Sequence, residues 1–316
     1  MFPIFKKKIA VVGSSNTDMI IKTSRIPRPG ETVLGGEFHM AAGGKGANQA
    51  VAAARAGGDV AFIARIGTDI FGKRAVEGFI HDRVDVEHVY QDRRTASGIA
   101  LISVGQNGEN SIAVASGANA KLSAENVRRA RRAIASAKIL LMQLETPLET
   151  VRKAAEIAAA NKVPIILNPA PARALDDRLL RLVSFLTPNE TETELLTGIK
   201  IKKESDMARA SQKLLNKGVH AVFITLGVKG VFVASETEKI RRIISAFKVK
   251  AVDSTAAGDV FNGALAVALA EGRPLLDAAH FANAAAALSV TKLGAQPSAP
   301  YRKEIERLLR TAAIGN

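Results

Sequence analysis

The 316-residue chain contains no cysteine and no tryptophan, and it has only two tyrosines. Without cysteine it can form neither disulfides nor thiolate metal sites, and this composition fits the reducing interior of a cell. No apolar run is long enough and free enough of charge to span a membrane. The N-terminus places apolar residues before its lysines, whereas a secretory signal needs the opposite order. We therefore expect a soluble cytoplasmic protein with no membrane partner.

Acidic residues are few beside basic ones, and the formal net charge is +14. The basic clusters are Lys6–Lys8, Arg128–Arg132 and Arg241–Arg242, which are far apart along the chain. Aromatic residues make up only 4% of the chain, so stacking platforms for single-stranded nucleic acid are scarce. We expect no nucleic-acid partner and instead a basic surface that attracts anionic substrates. A nucleic-acid binder, the competing interpretation, would retain DNA or RNA in a salt-dependent way.

Several common nucleotide and catalytic motifs are also missing. The segment Gly43–Gly46 lacks the spacing and the terminal serine or threonine of a Walker A loop, and no G-x-G-x-x-G or G-x-S-x-G motif occurs. The five histidines show no metal-ligand spacing. A nucleotide site in this chain must therefore be of another type.

Short β-branched runs alternate with helical patterns, which predicts an α/β fold with a parallel sheet covered on both faces. The predicted strands are Ile9–Gly13, Val60–Arg65, Ile139–Leu144, Pro164–Asn168, Ser184–Thr187, Val222–Thr225 and Gly230–Ala234. The predicted helices lie near 46–56, 70–81, 123–135, 148–161, 189–197, 204–217, 259–271, 275–291 and 301–312.

Two early segments, about 16–40 and 95–114, interrupt this alternation. Both have the pattern of extended chain with hairpin turns, and the second contains the turn sequence QNGEN. We expect them to form a small sheet that projects from the main one as a lid. No linker or internal repeat divides the chain, so residues 1–316 are predicted to form one domain.

The segment Asp253–Asp259, with the sequence DSTAAGD, is followed directly by a helical pattern. Small residues let the backbone approach a ligand, and the free N–H groups at a helix start attract an anion. Asp259 adds a carboxylate, as suits an enzyme that transfers a phosphoryl group to a hydroxyl. The alternative is that Asp259 only caps the helix, because aspartate is a favoured N-cap.

Two more segments combine glycine with polar side chains. In GGKGANQA the glycines permit a tight bend, and Lys45 and Asn48 have the hydrogen-bonding groups to hold a polyol. In GSSNTD the side chains of Asn16 and Asp18 point the same way if the chain is extended, which suits neighbouring hydroxyls. Taken alone, each segment is equally compatible with an ordinary turn.

These segments occur within a longer series that resembles the PfkB carbohydrate kinase family, and in particular its ribose-phosphorylating members. The series is GSSNTD, PRPGET, GGKGANQA, LLMQLETP, LNPAPA, TPNETE, FITLGVKG, DSTAAGD and GAQPS, and it extends from about residue 9 to 310. The resemblance implies a three-layer α/β/α sandwich with a mostly parallel central sheet and a small projecting β-sheet lid. It also implies ATP-dependent phosphorylation of D-ribose at the 5-hydroxyl.

The same resemblance implies roles for individual residues. The sugar-binding positions would be Asn16, Thr17, Asp18, Gly44, Lys45, Gly46, Ala47, Asn48 and Glu145. Asp259 would be the catalytic base, and the N–H groups of Ala256, Ala257 and Gly258 would form the anion hole. The ATP and magnesium positions would be Asn189, Glu192, Thr225, Leu226, Gly227, Val228, Lys229, Gly230, Gly258 and Asn283. A monovalent cation, usually K⁺, would be held at Asp253, Thr255, Ser289, Lys292, Gly294 and Ser298, several through backbone carbonyls.

Two positions depart from the pattern of the family. Ser254 stands where threonine is most frequent, and Asn283 stands where some members have histidine, which bears on nucleotide preference. Lids in this family often pair between subunits, so we expect a homodimer. The alternatives are a deoxyribokinase, a fructokinase, an adenosine kinase or another nucleoside kinase, or a non-catalytic sugar-responsive regulator that keeps the fold.

Overall fold

The computed structural model describes residues 8–314, so Lys6 and Lys7 of the first basic cluster lie outside the described residues. A nine-stranded sheet forms the centre, in the order β13-β12-β11-β10-β9-β8-β1-β4-β5. Its strands are β1 (Lys8–Val12), β4 (Asp59–Gly67), β5 (Val89–Asp92), β8 (Ile139–Met142), β9 (Ile165–Leu167), β10 (Phe185–Leu186), β11 (Ala221–Thr225), β12 (Val231–Ser235) and β13 (Ile240–Ile244). Neighbours pair in parallel except β11 with β12 and β12 with β13, which are antiparallel.

The central strands are buried on both faces, which explains their continuous apolar sequences. In β1, Ile9 and Val11 belong to one hydrophobic core, whereas Ala10 and Val12 belong to the other. Successive side chains of a strand point to opposite faces, so each strand contributes to both cores.

Helices cover both faces of this sheet. One face packs against α1 (Lys45–Arg55), α2 (Ile70–His81), α9 (Ala257–Ala270), α10 (Leu275–Ser289) and α11 (Arg302–Ile314). The other packs against α3 (Ala124–Arg129), α4 (Arg131–Ala135), α5 (Leu148–Ala160), α6 (Asp177–Leu180), α7 (Glu190–Thr197) and α8 (Glu204–Leu215). No helix among residues 8–314 combines the length and the apolar character needed to cross a membrane.

A second, four-stranded sheet has the order β3-β2-β6-β7. It consists of β2 (Asn16–Lys22), β3 (Glu37–Gly43), β6 (Gly98–Val104) and β7 (Asn110–Ala115), and we call it the lid. The strands β6 and β7 form an antiparallel hairpin around the QNGEN turn, and β2 pairs in parallel with β6. The strands lie within the two segments predicted to be extended, and β3 and β7 continue a few residues beyond them.

The three-layer α/β/α architecture predicted from the sequence is confirmed, and the differences are local. The helix predicted over 123–135 is interrupted at Ala130 and becomes α3 and α4. The sequence analysis missed α6, β5 and β13. The strand β13, IRRII, contains two arginines, and such a pattern is typical of an exposed edge strand rather than of a buried one. The helix α9 begins at Ala257, two residues before the predicted start.

Candidate active site

The helices α1 and α9 pack closely against each other, and together they form what we call the floor of the site. A Cβ atom on Gly263 of α9 would lie 2.7 Å from the Cβ of Ala52 and 2.7 Å from the backbone oxygen of Gln49, both on α1. Only glycine allows this approach. As a result, polar side chains on the first turns of the two helices meet although they are more than 200 residues apart in sequence.

Asp259 lies at this meeting point and is only 7% exposed. Its Oδ2 accepts a hydrogen bond from Asn48 Nδ2 (3.0 Å), and its Oδ1 accepts one from Gln49 Nε2 (2.9 Å). Asp259 does not cap its own helix, because the N-cap is Ala256, in the left-handed conformation with φ of 58°. The alternative interpretation of Asp259 as a helix cap is therefore wrong. Burial raises the pKa of Asp259, and the charge of Lys45 and the two amides oppose this rise.

A chain of buried amides continues behind Gln49. Its Nε2 also donates to Asn168 Oδ1 (3.1 Å), and its Oε1 accepts from Gln143 Nε2 (2.6 Å). Asn168 in turn donates to the carbonyl of Thr187 (3.1 Å). The sequence analysis assigned no role to Gln49, Gln143 or Asn168, although all three lie inside motifs that it singled out.

The lid joins the floor through Asn16 at the start of β2. Asn16 Oδ1 accepts a hydrogen bond from Asn119 Nδ2 (2.8 Å), and Asn119 also bonds both backbone groups of Ser15. Asn16 and Asp18 lie on the same face of β2, as predicted. Asp18 approaches Gly43 so closely that a Cβ there would lie 2.3 Å from its Oδ2. Burial and the negative charges of Glu145 and Asp259 raise the pKa of Asp18 to about 6.

Thr17 and Ala47, which were predicted to contact the sugar, have other surroundings. Thr17 lies on the opposite face of β2 and, together with Asn16, lines a cavity of about 220 Å³ between the lid and α2. Ala47 is fully buried in the core, and only its N–H takes part in the turn, by donating to Ser14 O (2.8 Å).

Glu145 anchors the glycine turn that opens α1. Its Oε2 accepts from the Ser14 hydroxyl (2.5 Å) and from the N–H of Lys45 (3.0 Å). Gly46 must be glycine, because a Cβ there would lie 2.4 Å from Ser14 N. The predicted sugar-binding segments around Asn16, Lys45 and Glu145 are therefore tied together by direct hydrogen bonds.

A cleft of about 190 Å³ adjoins Asp259. Its wall combines predicted residues from four parts of the chain with four polar residues that had no predicted role in the site. The predicted ones are Lys45, Asn189, Glu192, Thr225, Ala256, Ala257, Gly258 and Asp259, and the additional ones are Asn168, Thr187, Ser254 and Asn262.

The start of α9 supplies hydrogen-bond donors to this cleft. Ala257 N–H points to Ser254 O at 3.3 Å, whereas helix geometry leaves the N–H groups of Gly258 and Asp259 without an acceptor inside the helix. Asn262 holds this turn, because its Nδ2 donates to Gly258 O (2.8 Å) and its Oδ1 accepts from the Thr187 hydroxyl (2.6 Å). Asp259 and an anion-binding helix start therefore share one cleft.

On the facing wall, Asn189 and Glu192 form a capping box at the start of α7. Each accepts a hydrogen bond from the other's backbone N–H (both 2.8 Å), and Asn189 Nδ2 also donates to Glu192 Oε1 (3.0 Å). Burial raises the pKa of Glu192. This carboxylate is a hard oxygen ligand beside the anion site, which fits Mg²⁺ that is shared with phosphates and water.

Comparison with known proteins decides the family. A model described as "pfkB family carbohydrate kinase" matches residues 6–302. The chain belongs to the PfkB family of carbohydrate kinases. It is 48% identical to the ribokinase of Haemophilus influenzae over 307 residues, which cover 97% of this chain and 100% of the relative. It is also 36% identical to the deoxyribokinase of Salmonella typhi, over 95% of this chain and 98% of the relative.

Among solved structures, the Arabidopsis thaliana ribokinase complexed with ribose and ATP superimposes with a TM-score of 0.90. That chain is 32% identical, and the match covers 97% of this chain and 99% of the other. As a PfkB member, the chain is a carbohydrate kinase, that is, a phosphotransferase.

The nucleotide loop predicted for this PfkB kinase forms the turn between β11 and β12. Thr225 lines the cleft, Gly227–Lys229 form a short 3₁₀ turn, and Val228 is almost fully exposed. Asn283 lies outside the cleft wall. Its Nδ2 donates to the carbonyls of Ile244 (3.0 Å) and Ser245 (3.2 Å), so it holds the chain that leaves β13.

The positions predicted for a monovalent cation lie on two loops that hydrogen bonds join. Asp253 Oδ1 accepts from Thr255 N–H (2.9 Å), and its Oδ2 accepts from Gly294 N–H (2.9 Å). These bonds outweigh burial and lower the pKa of Asp253. The hydroxyls of Ser289 and Ser298 donate within their own turns, and Lys292 bonds Glu304. The monovalent-cation site at these positions therefore stays a prediction from the sequence.

The charges of the PfkB site are mostly negative. Lys45 faces four carboxylates, those of Asp259, Glu145, Glu192 and Asp18. Burial by itself lowers the pKa of Lys45, but the four negative charges outweigh it, so the pKa is raised. Lys45 therefore stays protonated and is available to pair with a phosphate.

Proposed function

We propose that this chain is a ribokinase, which transfers the γ-phosphoryl group of ATP to the 5-hydroxyl of D-ribose. The observation that carries the proposal is the position of Asp259. Its buried carboxylate accepts a hydrogen bond from Asn48, beside the predicted sugar-binding turn, and lines the cleft at the anion-binding start of α9. The 48% identity to a ribokinase over 97% of the chain, and the ribose and ATP in the Arabidopsis structure, support this substrate pair.

The mechanism follows from the arrangement of donors and acceptors. Asn16, Asp18 and Asn48 hold the hydroxyls of ribose against the floor, with Lys45 and Glu145 at the glycine turn. The Asp259 carboxylate removes the proton from the 5-hydroxyl as that oxygen attacks phosphorus. The N–H groups at the start of α9 and the ammonium of Lys45 stabilise the charge that develops on the transferred group. The oxygen of ADP leaves on the opposite side.

Two cations belong to the proposal. Glu192 and Asn189 would hold Mg²⁺ together with the phosphates, and that ion neutralises phosphate charge when it is bound. Asp253 and Thr255, with the carbonyls of the 289–298 loop, would hold K⁺. A cation there would keep the two loops together next to the first turn of α9. Equal rates with K⁺ and with a large organic cation would contradict the K⁺ site.

The lid supports a homodimer. Its exposed apolar side chains lie on both faces of the sheet, and among residues 8–314 no further strand pairs with its edge strands β3 and β7. We propose that two lids pair and cover part of this surface in the cytoplasm. Sedimentation of the protein as a monomer at micromolar concentration would contradict this assembly.

The decisive experiment is a kinase assay on a panel of sugars with ATP, Mg²⁺ and K⁺. The panel contains D-ribose, 2-deoxyribose, fructose and adenosine, and we expect the highest kcat/KM for ribose. A preference for 2-deoxyribose would instead make the chain a deoxyribokinase, like the Salmonella relative. No turnover of any of them would indicate a non-catalytic regulator.

A further inference from the structure

The buried amides behind Asp259 have a role in the proposed reaction. We propose that Gln49 is a positioning residue for the catalytic carboxylate and that Gln143 acts through it. The chain of hydrogen bonds runs from Gln143 Nε2 to Gln49 Oε1 (2.6 Å) and from Gln49 Nε2 to Asp259 Oδ1 (2.9 Å). Both glutamines are at most 1% exposed, so water does not compete for these groups.

An ionised carboxylate fixes the orientation of every amide in this chain. It can only accept hydrogen bonds, so Gln49 must turn its NH₂ group towards Asp259. The carbonyl oxygen of Gln49 then faces Gln143, which must present its own NH₂ group. Gln143 Oε1 is left buried without a hydrogen-bond partner in the described part of the chain. Such an unsatisfied oxygen is costly, and it persists here because the opposite orientation would leave two oxygens facing each other.

The arrangement decides which way the carboxylate points. Asn48 holds Oδ2 from one side and Gln49 holds Oδ1 from the other, so the carboxylate cannot rotate about its bond to Cβ without breaking one hydrogen bond. Asn168 keeps Gln49 in place from a third direction (3.1 Å). A base fixed in this way meets each substrate hydroxyl in the same geometry.

The arrangement also acts on protonation. The charged groups that face Asp259 are Lys45 on α1, Asp18 on β2, Glu145 after β8 and Glu192 on α7. Three of these four are acidic and favour the protonated form of Asp259. Hydrogen bonds donated to the carboxylate favour the ionised form, which is the one that can act as a base.

The inference rests on the proposed function, and substitution of the two glutamines tests it. Gln49→Met keeps the length of the side chain and removes its hydrogen bonds. We expect kcat at neutral pH to fall by roughly tenfold to a hundredfold, because the base is no longer held. We also expect the acid limb of the kcat profile at saturating ribose, where Asp18 is already engaged by the sugar, to move up by about one pH unit, the effect of one lost hydrogen bond to a charge.

Gln143→Met should change both quantities in the same direction but less. The double variant should behave like Gln49→Met alone, because Gln143 acts only through Gln49. Ser211→Ala is the matched control, because it removes a buried hydroxyl of α8 that bonds only backbone carbonyls. It should leave the pH profile at its wild-type position even where it lowers the unfolding temperature.

If Gln49→Met does not fold, Gln49→Glu is measured in its place. A second carboxylate beside Asp259 should move the acid limb further upward. An acid limb at the wild-type position in the Gln49 variant would overturn the inference. A double variant whose loss of kcat equals the product of the two single losses would overturn it too, because Gln143 would then act independently of Gln49. Wild-type protein that phosphorylates no sugar would instead overturn the proposed function, so the two failures are distinguishable.

Discussion

In the proposed reaction the floor and the lid face the same substrate, but they are built differently. In the floor, α1 and α9 touch at Gly263, and Asn48, Gln49 and Asp259 are buried and bonded to one another. The lid exposes large apolar side chains, among them Phe38 (59%), Leu101 (56%) and Ile112 (54%). The hydrogen bonds of the floor are therefore completed within the chain itself, whereas the lid exposes an apolar surface that the proposed homodimer would partly cover.

This difference assigns separate tasks to the two regions. A base must be held to within a fraction of an ångström, which a buried hydrogen-bonded network can do. Sugar must enter and leave, which favours a region with few buried contacts. We expect changes in the floor to affect kcat and changes in the lid to affect the KM for ribose and the oligomeric state.

The largest expected effect comes from Asp259→Asn in the floor. Loss of the base should lower kcat by about 10²- to 10⁴-fold, while ribose affinity measured by calorimetry changes little. The matched control is Asp277→Asn, the same change at an exposed position in the first turn of α10. An unchanged kcat in Asp259→Asn would show that the base is assigned to the wrong residue.

The next effect comes from Gly263→Ala, which pushes the two floor helices apart. The added methyl group would overlap Ala52 and the backbone of Gln49, so the free energy of unfolding should fall by about 1–3 kcal/mol. Asn48 and Gln49 should then lose contact with Asp259, and kcat should fall as well. These changes are measured by urea unfolding and by kinase assay.

Gly78→Ala in α2 is the control for that experiment. Apart from the neighbouring backbone of α2 itself, no atom of residues 8–314 lies within 4 Å of the added Cβ, so helix propensity should raise the free energy of unfolding by about 0.5–1 kcal/mol. Wild-type kcat in Gly263→Ala would show that the close approach of the helices is not needed for the site.

In the lid, Ile112→Lys places a charge on the exposed edge strand β7. We expect the homodimer to dissociate and the KM for ribose to rise several-fold, with kcat at saturating ribose close to that of the wild type. Sedimentation and steady-state kinetics measure both. Ile80→Lys, an equally exposed isoleucine on α2, should change neither, and a lower kcat without any rise in KM would contradict the division of tasks.

The smallest effect concerns Asp18, whose raised pKa has consequences for pH dependence. The folded protein binds a proton at Asp18 up to about pH 6, whereas the unfolded chain releases it near 3.8. Stability is therefore lost as the pH rises through this window. Asp18→Asn should raise the unfolding temperature at pH 8 by about 1–2 °C, the equivalent of ~1 kcal/mol for a chain of this length, and by less at pH 4.5.

Ribose binding should show the opposite trend at this residue. Only ionised Asp18 accepts hydrogen bonds from two hydroxyls, so binding to the wild type should strengthen as the pH rises through about 6. Asp18→Asn should bind ribose more weakly and should lose this dependence in calorimetric titrations. A variant that keeps the pH dependence of the wild type would assign it to another group.

The sequence was sufficient for the architecture because strand and helix periods are local properties. The interruption of the βα alternation predicted the small second sheet, and the small residues of 253–258 pointed to a helix start, which the structure has at Ala257. The sequence prediction failed at β13, where two arginines obscure the strand pattern, and at the start of α9. The residue at which α9 begins decides whether Asp259 caps the helix or lies inside its first turn and faces Asn48. The backbone conformation of Ala256 fixes that residue, and the sequence does not reveal it.

The residues behind the site could not be found from local patterns. Asn119 contacts Asn16 across 103 positions, and Gln49 contacts Asp259 across 210. No periodicity links residues so far apart, because folding of the whole sheet brings them together. The available signal was their position inside GGKGANQA and LLMQLETP, where Gln49 and Gln143 stand beside the residues that were assigned.

Amide hydrogen exchange with and without ribose tests the contrast between floor and lid most directly. We predict slow exchange in α1 and α9 in both states, and exchange in β3 and β7 that slows markedly when ribose is added. Slow amide exchange of β3 and β7 already without ribose would contradict the account. Fast exchange of α1 and α9 that becomes slow only when ribose binds would contradict it as well.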